Sequence, residues 1–71
     1  MQTLKQYDVF KLGKDINPSI IKGMEGVILE VYDNNLFEVE FVREDGTNYE
    51  YEGSFTFSID RSYIGEVTWR S

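Results

Sequence analysis

Short runs of alternating apolar and polar residues fill most of this chain, and a period of two is typical of β-strands with one buried face. The clearest run, residues 36–42, places Phe37, Val39 and Phe41 on the inner face and Glu38 and Glu40 on the outer one. Five other runs predict further strands, over residues 7–12, 26–32, 48–52, 55–59 and 65–69.

Residues that favour turns separate these runs. Residues 33–35 (Asp-Asn-Asn) predict one hairpin turn, Asp45-Gly46 marks a second, and Gly53 predicts a bend. Asp60 is suited to cap a single helical turn over residues 60–63. Short strands, two tight hairpins and no long helix predict an all-β fold, a small antiparallel barrel of five to six short strands built as one domain over residues 1–71.

The same patterns assign side chains to the core. In residues 26–32, alternation places Val27, Leu29 and Val31 on one face, and Val9 is expected in the core. Residues 14–24 read as a long loop pinned to the barrel by its two isoleucines, Ile20 and Ile21. The single tryptophan, Trp69, is expected to close one end of the barrel.

The register of the second hairpin bears on function. A two-residue turn would pair Phe41 with Glu50 and bury an unpaired carboxylate, which costs several kcal/mol. A three-residue loop, residues 45–47, avoids this and predicts four facing pairs: Phe41 with Tyr51, Arg43 with Tyr49, Glu40 with Glu52, and Val42 with Glu50. This register makes an acidic sheet face, although like charges directly opposite each other destabilise a strand pair.

The distribution of charge along the chain says more about function than the overall composition does. The chain has 13 acidic and 7 basic residues, a net charge of −6, and residues 25–52 hold nine acidic residues against one arginine, a net charge of −8. Such a chain is poorly suited to a phosphate backbone, so no nucleic-acid partner is expected. The central acidic segment has two interpretations: ordinary polar cover for outward strand positions, or a surface for a cationic partner.

Several kinds of chemistry are excluded or disfavoured by the residues. The chain has no histidine and no cysteine, which excludes disulfides and the commonest zinc sites and catalytic triads. The carboxylates Glu40 and Glu52 lack a sugar cleft, and residues 33–35 lack the spacing of a calcium loop. No enzyme, cofactor, metal or catalytic residue is expected. With no apolar run long enough to span a bilayer and no visible secretory signal, no membrane partner is expected and the predicted location is cytoplasmic.

Several segments resemble a known family. Residues 7–9 (Tyr-Asp-Val), 22–32 (Lys-Gly-Met-Glu-Gly-Val-Ile-Leu-Glu-Val-Tyr) and 37–46, from Phe37 through Asp45-Gly46, are similar to a short bacterial domain-of-unknown-function family that looks like an SH3-like small barrel. The resemblance covers roughly residues 7–52. Residues 51–71 depart from it, because they are longer and more aromatic than the family's usual closing strand. These motifs are structural rather than catalytic.

The resemblance also implies a function, since some members of such families look like immunity proteins encoded beside contact-dependent or polymorphic toxins. It implies a non-enzymatic antitoxin, taken as a monomer, that neutralises a basic toxin domain of the nuclease type. The residues expected to bind that partner are acidic or aromatic side chains of the central segment: Glu30, Tyr32, Glu38, Glu40, Tyr49, Glu50, Tyr51 and Glu52.

Two alternatives stay open. One is a peptide-binding or accessory interaction module, in which exposed rings of Tyr7, Tyr32 and Trp69 line a groove for an extended ligand. The other is an RNA- or ribosome-associated small barrel that uses the four lysines of residues 1–24. The adjoining acidic segment disfavours the second alternative.

Overall fold

Five antiparallel strands form one sheet in the computed structural model, which describes residues 3–71. The strands are β1 (Val9–Leu12), β2 (Glu25–Asp33), β3 (Leu36–Phe41), β4 (Thr56–Asp60) and β5 (Ile64–Trp69), with a 3-10 turn at Arg61–Tyr63. Their order in the sheet is β4-β3-β2-β1-β5, so the last strand returns to pair with the first. This confirms the predicted all-β architecture of short antiparallel strands, and the arrangement is compatible with a barrel-like fold. Met1 and Gln2, included in the predicted domain, lie outside the described residues.

The core is built around β3, the strand with the strictest alternation. Phe37, Val39 and Phe41 are completely buried, as predicted. Phe10 of β1 meets Phe41 edge to face, with the ring centroids 6.0 Å apart. The other buried apolar side chains come from the N-terminal segment, the long loop and the neighbouring strands: Leu4, Leu12, Ile20, Ile28 and Ile59.

The prediction that Val9 belongs to the core is wrong. Its neighbours Phe10 and Leu12 are buried instead, and Val9 lies on the outer side of the sheet. The reason is the fit between Phe10 and Gly26, which face each other in the β1–β2 register. A side chain at position 26 would meet the Phe10 ring, so the glycine leaves the space that this ring fills.

A bulge in β2 breaks the alternation predicted for residues 26–32. Ile28 faces Val39 and Glu30 faces Glu38, so Leu29 is the extra residue of β2 at this point. The bulge reverses the sense of alternation, and Val31 packs against the core on the same side as Ile28. The expectation that Val31 shares a face with Val27 and Leu29 is therefore wrong.

The loop of the second hairpin is one residue earlier than predicted. Val42 faces Asn48 rather than Glu50, and the Tyr49 amide donates to the Phe41 carbonyl at 2.9 Å. The loop residues are Glu44, Asp45 and Gly46, with Gly46 at a φ of +90° that suits glycine. The register is thus shifted by two positions along the second arm. A shift of two preserves the faces, and Tyr49 and Tyr51 still pack against the core.

Residues 48–52 do not form the continuous strand that was predicted. The chain reverses between Tyr51 and Ser54, whose amides and carbonyls bond each other at 3.0 Å in both directions. Glu52 and Gly53 occupy this turn with φ values of +51° and +82°, so the bend at Gly53 is confirmed. The strand that pairs with β3 is therefore β4, and Glu40 faces Thr56 rather than Glu52.

The predicted turns at the other end of the sheet are confirmed. The Asn35 amide donates to the Asp33 side chain at 2.7 Å in the β2–β3 turn. Asp60 caps the 3-10 turn and accepts the Ser62 amide at 2.8 Å. The Ser62 bonds outweigh partial desolvation and lower the pKa of the Asp60 carboxyl.

The long loop and Trp69 depart from expectation in part. Ile20 is completely buried, but Ile21 is 47 % exposed, so one isoleucine rather than two anchors the loop. The Asn17 side chain holds Ile20 in place by accepting its amide at 2.9 Å. Trp69 is 59 % exposed and does not close the barrel, because it faces Val9 on the outer side of the sheet.

A buried carboxylate joins the two terminal segments. Asp8 is completely buried, and its two oxygens accept the amides of Lys5 and Ser71, each at 2.9 Å. Burial alone would raise the pKa of Asp8. The bonds from Ser71 and Lys5, helped by the charge of Arg70, outweigh burial and hold that pKa below its ordinary value. Asp8 therefore stabilises the fold in its ionised form.

We expect Asp8→Asn to lower the free energy of unfolding by about 1–3 kcal/mol at neutral pH, because the substitution replaces one of the two acceptor oxygens with an NH2 donor that would face a backbone N–H group. Since the pKa of Asp8 is lowered in the folded state, its contribution is present above the unfolded pKa and is lost as the pH falls through the folded pKa. Urea denaturation should show the two proteins converging between about pH 5 and pH 2. A gap that stays constant over that range would contradict the role of the charge.

We also expect Gly26→Ala to destabilise the fold by about 1–3 kcal/mol, because the added Cβ would lie 2.5 Å from Cζ of Phe10. Phe10→Leu removes the two nearest clashing ring atoms, although Cε1 of Phe41, at 2.9 Å, remains. In thermal denaturation, the double variant should therefore lose less stability than the sum of the two single variants. Additive losses would show that this contact does not select glycine.

Candidate binding face

Three glutamates and a tyrosine lie together on the outer side of β2 and β3. Glu30 is directly opposite Glu38 in the β2–β3 register. The Tyr32 hydroxyl donates to Oε1 of Glu38 at 3.3 Å. Because Phe37, Val39 and Phe41 point inward, Glu38 and Glu40 must point outward from β3. We call these four residues, Glu30, Tyr32, Glu38 and Glu40, the acidic face.

Polar side chains beyond β3 hold two of these carboxylates in place. Ser58 of β4 faces Glu38, and its hydroxyl donates to Oε1 of that glutamate at 2.7 Å. The Asn48 side-chain amide donates to Oε1 of Glu40, also at 2.7 Å. Sequence reasoning missed both residues. The true partner of β3 is the strand at residues 56–60. The sequence pattern instead pairs β3 with the predicted strand at residues 48–52, and this pairing hides the contact between Ser58 and Glu38.

The Glu38 carboxylate is held ionised. Bonds from the Ser58 and Thr56 hydroxyls lower its pKa, and the smaller bond from Tyr32 acts in the same direction against partial desolvation. A carboxyl with a lowered pKa is an anion and a hydrogen-bond acceptor at neutral pH, not a proton donor. Glu38 is therefore suited to attracting cations rather than to acid catalysis.

The pKa of Tyr32 depends on the negative charges of its neighbours. Partial desolvation raises the pKa of Tyr32, and the charge of Glu38, the hydrogen bond to it and the charge of Glu30 raise that pKa further. The ring itself is 55 % exposed. Tyr32 thus presents an accessible aromatic surface with its hydroxyl directed to a carboxylate.

The other four predicted partner-binding residues lie in the segment between β3 and β4 rather than on the acidic face. Tyr49 and Tyr51 are partly buried and pack against the core. The Arg43 guanidinium lies over the Tyr49 ring, 4.0 Å from its centroid. Glu50 and Glu52 are exposed, and Glu52 raises the pKa of Tyr51 by hydrogen bonding to it.

An apolar row continues the outer surface on the other side of β2. Val9 faces Val27 on one side and Trp69 on the other, so these three side chains lie in line across β5, β1 and β2. The line runs on through Glu40 of the acidic face to Thr56. We call Val9, Val27 and Trp69 the apolar row.

Tyr7 lies two residues before β1 and has a backbone conformation that bulky residues rarely adopt. Its φ is +71°, its amide donates to the Ile28 carbonyl at 2.6 Å, and its side chain is 55 % exposed. The left-handed region costs about 1–2 kcal/mol for a residue with a side chain. The fold therefore keeps an exposed ring at a position that would favour glycine.

An open cavity of about 530 Å³ lies beside the β2–β3 turn. Leu4, Val31 and Phe37 line its apolar part. At its rim, Arg61 donates from Nε and Nη2 to the Asn34 carbonyl, at 3.0 and 2.7 Å. These bonds tie the 3-10 turn to the hairpin, which gives Arg61 a structural role.

Among residues 3–71, no group of three or more acidic side chains is placed to hold a metal ion. Within the same range, no helix has the length and apolar character needed to cross a bilayer.

Comparison of the chain with models of known protein families, with characterised proteins and with solved structures finds no match.

The geometry of the acidic face can be tested through tyrosine titration. We expect Glu38→Gln to lower the pKa of Tyr32 towards its ordinary value, because the substitution removes the neighbouring charge. Glu52→Gln is the matched control, and it should lower the pKa of Tyr51 while leaving that of Tyr32 unchanged. NMR titration with carbon-13-labelled tyrosine resolves the two rings. Equal effects of both variants on Tyr32 would contradict the described contacts.

Proposed function

We propose that this protein is a non-enzymatic inhibitor that binds a basic partner protein through the acidic face, as an immunity protein binds its toxin. The observation that carries the proposal is the direct pairing of Glu30 with Glu38 on adjacent strands. Two like charges in facing positions destabilise a strand pair by up to about 1 kcal/mol. Fold stability alone does not favour this arrangement, whereas a cationic partner would relieve the repulsion.

The way the carboxylates are held also supports binding. Ser58 and Asn48 each fix one carboxylate oxygen at 2.7 Å and leave the charge in place. A side chain that is already ordered loses less conformational entropy when a lysine or arginine binds it. The acidic face is thus prepared for charged contacts before the partner arrives.

Nuclease toxins fit this surface chemically. Their active clefts are shaped for phosphate, and a row of carboxylates on a small domain can occupy the positions of successive phosphates. With a net charge of −6, the chain would also attract a basic partner over a distance. The toxin as partner rests on the family resemblance. The preference for a cationic protein rests on the acidic face.

A peptide-binding module is the second proposal, favoured by a separate observation. Tyr7, Tyr32 and Trp69 are all more than half exposed, at 55 %, 55 % and 59 %. Exposed tyrosine and tryptophan rings are typical anchors for extended or proline-rich segments. In this case, binding would depend on the rings and would change little with salt.

We expect the double substitution Glu38→Lys/Glu40→Lys to slow association with the toxin and to weaken protection of cells against it. Steered association of this type falls steeply when complementary charges are reversed, by about 10-fold or more in rate. Stopped-flow mixing at several salt concentrations gives the rate, and growth in the presence of the toxin gives protection. The toxin is the basic protein retained from a lysate of the native cell at low salt.

Glu44→Lys/Glu66→Lys is the matched control. Both glutamates are exposed and lie off the acidic face, and the change in net charge is the same. This variant should retain most of the protection. If the two double variants associate equally slowly, net charge rather than the acidic face controls binding. If both remain fully protective while folded, the acidic face is not the site.

A further inference from the structure

We propose that the apolar row is the second half of the binding surface, and that its occupant is a segment of the partner protein carrying an apolar side chain beside lysine or arginine. This inference rests on the proposed function, because it takes the partner to be cationic. It adds an apolar contact site and the direction in which the partner segment crosses the strands. Neither of these follows from the acidic face.

The apolar row lies outside the core. Phe10, one residue after Val9, is completely buried and faces Gly26 and Val67, which marks the inner side of the sheet. Val9 and Val27 face each other one position away and belong neither to the core nor to the side chains packed against it. Trp69 completes the line, and the residue is 59 % exposed.

Charge complementarity identifies the occupant. The strand register runs from Trp69 through Val9 and Val27 directly to Glu40, so apolar surface and carboxylate lie in one line. Neighbouring strands are about 4.8 Å apart, which makes the distance from Trp69 to Glu40 about 14 Å. About four to five residues of extended chain, at about 3.3 Å each, cover that distance. One short segment can therefore contact both ends.

A second copy of this chain is a poor occupant of the apolar row. Each copy carries a net charge of −6, so two copies repel each other as they approach. Like charges brought together at an interface oppose association. A cationic segment gains from the same geometry, since its lysine or arginine meets Glu40 while its apolar side chain covers Trp69.

The test uses three synthetic peptides of equal length, titrated into the nitrogen-15-labelled full chain and followed by NMR. One alternates lysine with phenylalanine, one lysine with serine, and one glutamate with phenylalanine. We expect the lysine–phenylalanine peptide to bind most tightly and to shift the amides of Val9, Val27, Glu40 and Trp69 together. The lysine–serine peptide should shift only residues of the acidic face, and the glutamate–phenylalanine peptide should bind least.

Two variants make the test specific. Trp69→Ala should weaken binding of the lysine–phenylalanine peptide by about 10-fold, a size typical of an aromatic anchor, and should leave the lysine–serine peptide unaffected. Ile21→Ala is the matched control, because Ile21 is also exposed, at 47 %, but lies in the loop of residues 14–24. It should leave binding of both peptides unchanged.

The apolar row is refuted as a binding surface if the two lysine peptides bind equally, if neither binds, or if Trp69→Ala has no effect. Such a result leaves the acidic face to be judged by toxin protection in the charge-reversal variants. Loss of protection there, together with no effect of Trp69→Ala here, would retain the proposed function and reject this inference. The reverse pattern, full protection by the charge-reversal variant with weakened peptide binding in Trp69→Ala, would reject the acidic face as the toxin site and this inference with it, because the inference takes the partner to be cationic.

Discussion

Phe37, Val39 and Phe41 fill the core from a single strand, and their burial directs the residues between them to the opposite side. Glu38 and Glu40 therefore face outward for a reason that has nothing to do with a partner. What does not follow from burial is their chemical identity, since serine or threonine would also be tolerated there. The core therefore determines which positions of β3 face outward, but it does not determine that the residues at those positions are charged.

The bulge at Leu29 has an equally large effect on the neighbouring strand. By inserting one residue, it returns Val31 to the core and brings Glu30 opposite Glu38. Without the bulge, strict alternation would place Glu30 on the same face as Ile28, which is buried. The bulge therefore affects both faces of the sheet. On the inner face Val31 completes the core, and on the outer face Glu30 is paired with Glu38.

The two halves of the outer surface differ in how they are supported. The acidic face is ordered by neutral donors, Ser58, Asn48 and Tyr32, which hold carboxylates without cancelling their charge. The apolar row is ordered only by strand pairing and exposes a tryptophan on the edge strand β5. Charged contacts raise the rate of association, whereas apolar contacts slow dissociation. The proposed binding surface has both kinds of contact and would therefore combine fast association with slow dissociation.

Local chemistry determined much of this protein from its sequence alone. The all-β class, the inward face of β3, the turn at residues 33–35 and the Asp60 cap each depend on a few adjacent residues. Four of the eight residues expected to bind a partner lie together on the acidic face: Glu30, Tyr32, Glu38 and Glu40. Register was decided only in the tertiary structure, because shifting a hairpin by two positions keeps every side chain on its face and leaves no trace in the alternation. The partners of Glu40, the bulge at Leu29 and the outward position of Trp69 all depend on how distant strands pair, which a linear pattern does not contain. The outward position of Val9 depends on the fit of the Phe10 ring against Gly26, a volume constraint that the pattern also lacks.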